Sequence, residues 1–191
     1  MKAIVRNLIT AGALALTATV TGAQMALPRN LTLAKESKMW LEGTSTVRSF
    51  KCSATKLDMA VVAEPEEAPA DMVKTASLVV PVAQLECGNK TMNEHMRKAL
   101  KAEANPQISW KMTSYQVEGS NVLINGKLTI AGKENPIVIR GTGSVDNGTI
   151  RFKGSKQFKM TEYGVKPPSL MLGTMKVRDP VIVSFDLVLS E

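Results

Sequence analysis

Hydrolytic or zinc chemistry in this chain would have to be built from one histidine, His95, and two cysteines, Cys52 and Cys87. A nucleophile triad needs a histidine held by an acidic partner, and a zinc site needs three or four ligands at fitting positions. Here there is no CxxC spacing and neither cysteine has a histidine beside it, so neither arrangement is expected and no metal is assigned. Carboxylates are densest in Glu64-Pro65-Glu66-Glu67-Ala68-Pro69-Ala70-Asp71, which is acidic and proline-bearing. Proline cannot donate to a strand ladder, so this segment is a solvated loop, a poor place for tuned acid/base groups. The methionines suggest a second chemistry. Met92-Asn93-Glu94-His95-Met96 puts two thioethers and an imidazole within about one helical turn, and soft sulfur ligands select Cu(I). The same methionines form the apolar stripe of a helix, however, and adaptable Met side chains suit an interior that holds a flexible ligand. Binding rather than catalysis is expected.

The basic residues Arg151, Lys153, Lys156, Lys159, Lys166, Lys176 and Arg178 raise the question of nucleic acid. Binding single strands needs aromatic platforms among the charges, and only Phe152, Phe158 and Tyr163 are at hand. We therefore expect a solvated basic face and no nucleic-acid partner, with anionic head groups weakly attracted.

Lys2 and Arg6, the apolar stretch from Leu8 to Val20 and the small residues Thr21-Gly22-Ala23 have the layout of a secretory signal peptide over residues 1–23. The expected location is the periplasm or the extracellular space. The mature chain, residues 24–191, has no stretch of the roughly 20 apolar residues that a spanning helix needs. It is of single-domain size. Losing Lys2 and Arg6 lowers the formal charge from +7 to +5. In an oxidising compartment the even pair Cys52 and Cys87 is expected to bridge; two unpaired thiols are the competing reading.

The elements that position these residues are short strands broken by turns. Met39 to Val47 alternates, Phe50 to Met59 is expected as one strand carrying Cys52, and Ala76 to Val82 is another. Ile108 to Val117, Asn121 to Ala131, Pro136 to Val145 and Thr149 to Met160 follow, then Val181 to Leu189. Asp146-Asn147-Gly148 is a tight-hairpin signal. After Cys87 the period changes: Met92, Met96, Ala99 and Leu100 recur at helical spacing, with Asn89 as N-cap and Asn105-Pro106 as the stop. Gly126, Gly141 and Gly143 lie inside strands, where they permit the bends that close a barrel. The expected fold is all-β, an eight-stranded antiparallel lipocalin-like barrel with one amphipathic helix inserted.

Four stretches of the chain resemble the YceI-like family of exported, lipocalin-like barrels. They are Trp40-Leu41-Glu42-Gly43-Thr44-Ser45-Thr46-Val47-Arg48-Ser49-Phe50-Lys51-Cys52; Leu85 to Asn93 with Lys98-Ala99-Leu100-Lys101-Ala102; Gly126-Lys127-Leu128-Thr129-Ile130-Ala131-Gly132 with Pro136-Ile137-Val138-Ile139; and Met160 to Pro168. The resemblance implies a soluble barrel with a ligand tail inside and its head group near one mouth. The ligand class it implies is polyisoprenoid or related lipid, such as an isoprenoid quinone, and it implies no other cofactor. One departure is local: many members have a histidine before a serine at the first strand, and this chain has Glu36-Ser37-Lys38-Met39-Trp40 there.

The functional expectation is non-catalytic carriage of an isoprenoid or fatty-acyl chain. The alternative is a structural or interaction module of the envelope whose barrel is filled by its own side chains. Tail contacts are expected from Val122, Ile124, Leu128, Ile130, Phe152, Phe185 and Leu187, the apolar faces of three strands. A mouth cover is expected from Met92 and Met96 on the helix. A flap bearing Leu170, Met171 and Leu172 is the other cover, because Pro167-Pro168 excludes a regular strand while three apolar residues do not suit a solvated loop.

Overall fold

The computed structural model describes residues 27–64, 67–170 and 174–191. The expected signal peptide lies outside the described residues, as do Met171 and Leu172, and of Leu170 only the backbone is described. Among the described residues there are twelve strands: β1 (Arg29–Leu33), β2 (Lys38–Ser45), β3 (Ser49–Ala54), β4 (Asp58–Ala63), β5 (Val73–Pro81), β6 (Leu85–Glu86), β7 (Gln107–Glu118), β8 (Asn121–Ile130), β9 (Lys133–Asp146), β10 (Thr149–Lys159), β11 (Ser169–Leu170) and β12 (Met175–Ser190). One α-helix, α1 (Lys90–Ala99), follows β6.

Eight strands form the barrel wall in the order β1-β4-β5-β7-β8-β9-β10-β12, every neighbour antiparallel. Pairing of Thr32 with Ser190 and Leu33 with Leu189 returns β12 to β1 and closes the ring. β12, 16 residues long, also pairs with β2 through Val181 to Asp186, and β2 leads on to β3 and β6. Short turns join the long strands. Asn147 and Gly148 both take positive φ, 46° and 78°, the geometry of a two-residue turn matched to strand twist.

The structure corrects three details. Phe50 to Met59 is not one strand: it breaks into β3 and β4 at residues 55–57, where the Thr55 N–H and hydroxyl both donate to the Gln84 carbonyl, at 2.8 and 2.9 Å. The break lets β3 follow β2 while β4 follows β1. β1 itself was not expected, since only Leu31 of its five residues is buried and no alternation marks it. Finally, α1 ends at Ala99 rather than at Asn105-Pro106, because Lys101 turns to φ 53° and its carbonyl accepts the N–H groups of Ala104 and Asn105. The N-cap is as expected, with Asn89 Oδ1 accepting the Met92 N–H at 2.9 Å.

Candidate ligand-binding site

The barrel encloses a cavity of about 560 Å³, within the range of small-molecule pockets. Its lining is overwhelmingly apolar and extends from Arg48 and Met92 at the helix end to Val145 and Arg151 at the other. The period of two in each strand builds this surface, since alternate residues of one strand share a face. β8 supplies Val122, Ile124, Leu128 and Ile130, β10 supplies Phe152, and β12 supplies Phe185 and Leu187, so all seven residues expected at the tail line one space.

Sequence reasoning missed other lining residues, among them Trp110, Val61, Leu78, Ile137, Tyr163 and Val181. For Trp110 the signal was present, because Ile108, Trp110 and Met112 alternate on β7. The buried Trp110 Nε1 has no hydrogen-bond partner among the described residues. Several rings lie on glycines of neighbouring strands: a Cβ on Gly43 would meet Phe50 at 2.4 Å, one on Gly141 would meet Phe152 at 2.7 Å, and one on Gly154 would meet Phe185 at 2.7 Å. Phe152 and Phe185 also touch each other, with ring centroids 5.0 Å apart. In-strand glycine here provides room for inward aromatic rings.

Two residues assigned to the solvated basic face, Arg151 and Lys156, line the cavity, and of the two only Lys156 shares the half-buried face of its strand. On β10 the half-buried face carries Phe152, Gly154, Lys156 and Phe158, whereas Arg151, Lys153 and Lys159 are exposed on the opposite face. Lys156 lines the cavity. Its parity with Phe152 was visible in the sequence.

α1 lies at one end of the cavity with Met92, His95, Met96, Ala99 and Leu100 among the lining residues. The helix is anchored at its first turn. Asn93, buried, accepts the Cys87 N–H on Oδ1 at 2.7 Å and donates through Nδ2 to the Glu86 carboxylate. Arg97 donates to the Ala83 carbonyl at 3.1 Å and stands 3.8 Å from Glu86. The Cys52–Cys87 disulfide fixes this anchor to β3. Arg48 donates to Met92 Sδ at 3.9 Å, which sets a positive charge beside a thioether that a cuprous ion would need.

The segment after β10 meets α1 at the same end. A 3₁₀ turn, Met160–Tyr163, leads to Val165, and buried Tyr163 and Val165 pack with Ile130, Ala99 and Leu100. Thr161 holds the turn to β12 by donating its N–H and hydroxyl to the Asp179 carboxylate, at 2.9 and 2.6 Å. Those two bonds, the hydroxyl first, pull the Asp179 pKa below its ordinary value. Burial, then the nearby Glu162 charge, pushes the Tyr163 phenol up, so it stays protonated. Beyond it, Ser169 and Leu170 pair with Lys176 and Met175 of β12. No helix among the described residues is long and apolar enough to cross a membrane.

Comparison with known proteins fits this geometry. The family model of the YceI-like domain matches residues 30–189. The crystal structure of Burkholderia cenocepacia BcnA is similar at TM-score 0.68 and 23% identity, over 80% of this chain and 95% of that one. A Campylobacter jejuni YCEI protein is similar at TM-score 0.62 and 17% identity, covering 73% of this chain and 84% of the other. A polyisoprenoid binding domain from Saccharophagus degradans, implicated in plant cell wall breakdown, is similar at TM-score 0.64 and 14% identity, over 84% and 97% of the two chains. No curated protein sequence matches the chain.

Proposed function

The chain belongs to the YceI-like domain family, and from that premise we propose that it binds and carries, without chemical change, a lipid with an isoprenoid or fatty-acyl chain. One observation carries the reading: the apolar cavity of about 560 Å³ that runs along the barrel. A barrel filled by its own side chains would leave no such volume, because protein interiors pack nearly as densely as organic crystals. An apolar surface of this extent is stabilised by an apolar occupant, which removes it from water. The Saccharophagus degradans domain of similar fold, described as polyisoprenoid binding, supports the ligand class.

In this proposal the tail lies against Val122, Ile124, Leu128, Ile130, Phe152, Phe185 and Leu187. α1 covers one mouth. Export to the periplasm or beyond is part of the same reading. The disulfide supports it, since cytosolic thiols are kept reduced.

Organic extraction of the natively purified protein, followed by mass spectrometry, tests the function. A stoichiometric apolar-chain lipid is the expected result. Protein that carries no lipid, and that binds none when offered, would return the barrel to a structural role.

A further inference from the structure

We propose that Lys156 is the head-group residue of the bound lipid, and that it selects a chain ending in an acidic oxygen group, a carboxylate or a phosphate. The inference rests on the carrier reading above. The β9–β10 ladder runs from Asp146 and Thr149 to Arg140 and Ser155 and stops there, one residue before Lys156. Where it stops, a second space of about 310 Å³ opens between Pro136-Ile137-Val138 of β9 and Lys156-Gln157-Phe158 of β10. Ile137, Lys156, Phe158 and Tyr163 line both this cleft and the main cavity, so Lys156 borders both spaces. The Asn135 side-chain amide, donating to the Glu162 carbonyl at 2.8 Å, ties β9 to the 3₁₀ turn beside the cleft.

Two outer-face lysines of the same wall pair with carboxylates, Lys153 with Asp186 at 2.9 Å and Lys127 with Glu134 at 3.1 Å. Lys156 makes no ion pair among the described residues. Glu162 also borders the cleft, but its carboxylate accepts the Lys159 N–H at 3.4 Å. The cross-strand neighbour of Lys156 is Val183, and Phe158 follows on its own face. Lys156 is half-buried there, and its ammonium has no ion-pair partner among the described residues. A ligand anion would complete it with a charge-assisted hydrogen bond, while the attached chain fills the apolar cavity. The Tyr163 phenol, protonated and on the same boundary, offers a second donor.

The test uses delipidated full-length protein and four probes: oleate and methyl oleate, geranylgeranyl monophosphate and geranylgeraniol. Wild type should bind the acidic member of each pair roughly tenfold or more tightly than its neutral partner, the scale of one charge-assisted hydrogen bond. Lys156→Met keeps the length and apolar stem; it should erase that preference, leave affinity for the neutral probes, and not lower the melting temperature. Lys156→Arg should keep the preference. Preference for oleate alone, or for the phosphate alone, tells the two acidic sources apart, and either supports the assignment. Equal binding of acid and neutral probes by wild type, or a preference that survives in Lys156→Met, overturns the head-group assignment while leaving the carrier reading intact. If wild type binds none of the four, the carrier reading itself falls and this assignment with it.

Discussion

The indole of Trp110 fills the space over Gly126 that a side chain would need: a Cβ there would stand 2.4 Å from Nε1 and 2.6 Å from the Lys111 carbonyl oxygen. One of these obstacles is backbone, so the strand cannot yield cheaply. Gly126→Ala should therefore cost about 1–3 kcal/mol, the range of overpacking in a tight core. Thermal melting checks the loss, and a change in near-ultraviolet circular dichroism would show that the indole has moved. An unaltered melting curve would mean that the ring lies elsewhere.

The anchor of α1 can be tested at Asn93. Asn93→Ala leaves the buried Cys87 N–H without its acceptor, a loss of roughly 1–3 kcal/mol. Amide exchange in Lys90–Ala99 should rise more than exchange in β7 or β8. Uniform acceleration across the barrel would place the role of Asn93 in global stability instead.

Thiol reagents should label neither cysteine of the native protein until it is reduced. Cys52→Ser with Cys87→Ser opens a link between residues 35 apart, which the chain-entropy model values at about 4 kcal/mol. If α1 gates the mouth, the same variant should release a bound lipid faster at temperatures where it remains folded. Equal release rates would remove the helix from that role.

An inward charge should be incompatible with the bound chain. Ile124→Glu is expected to abolish lipid co-purification or to unfold the protein, because an unpaired charge in apolar surroundings is very costly. Ser155→Glu, at an exposed position of β10, should retain both fold and lipid. Identical behaviour of the two variants would put Ile124 out of reach of the ligand.

Asp179 gives a pH dependence with a definite sign. Its pKa is depressed in the folded state by the two Thr161 hydrogen bonds, so its contribution is present at neutral pH and disappears as acid titrates the folded carboxylate, below about pH 4. Asp179→Asn should melt earlier than wild type at neutral pH, and the difference should shrink towards pH 2. A constant gap across that window would assign the effect to packing.

Much of this architecture follows from local chemistry alone. Short strand runs between turn residues marked β2, β5, β7, β8, β9, β10 and the end of β12, Asn89 marked the start of the helix, Asn147-Gly148 a hairpin, and the even cysteine pair a bridge. These signals are legible because a strand repeats every two residues, a helix about every 3.6, and caps and turns depend on only a few neighbours. That period also put Val122, Ile124, Leu128 and Ile130 on one face before any partner strand was known. What the tertiary structure decided concerns residues far apart in sequence. Closure of β12 on β1, the split of Phe50 to Met59 between two neighbours, and the contacts of Trp110 with Gly126 and Phe185 with Gly154 depend on register between separate strands, which alternation leaves open. Lys156 shows the division within one residue. Its parity with Phe152 was local, but the cleft beside it lies where the β9–β10 ladder ends at Arg140 and Ser155, which only the strand register fixes.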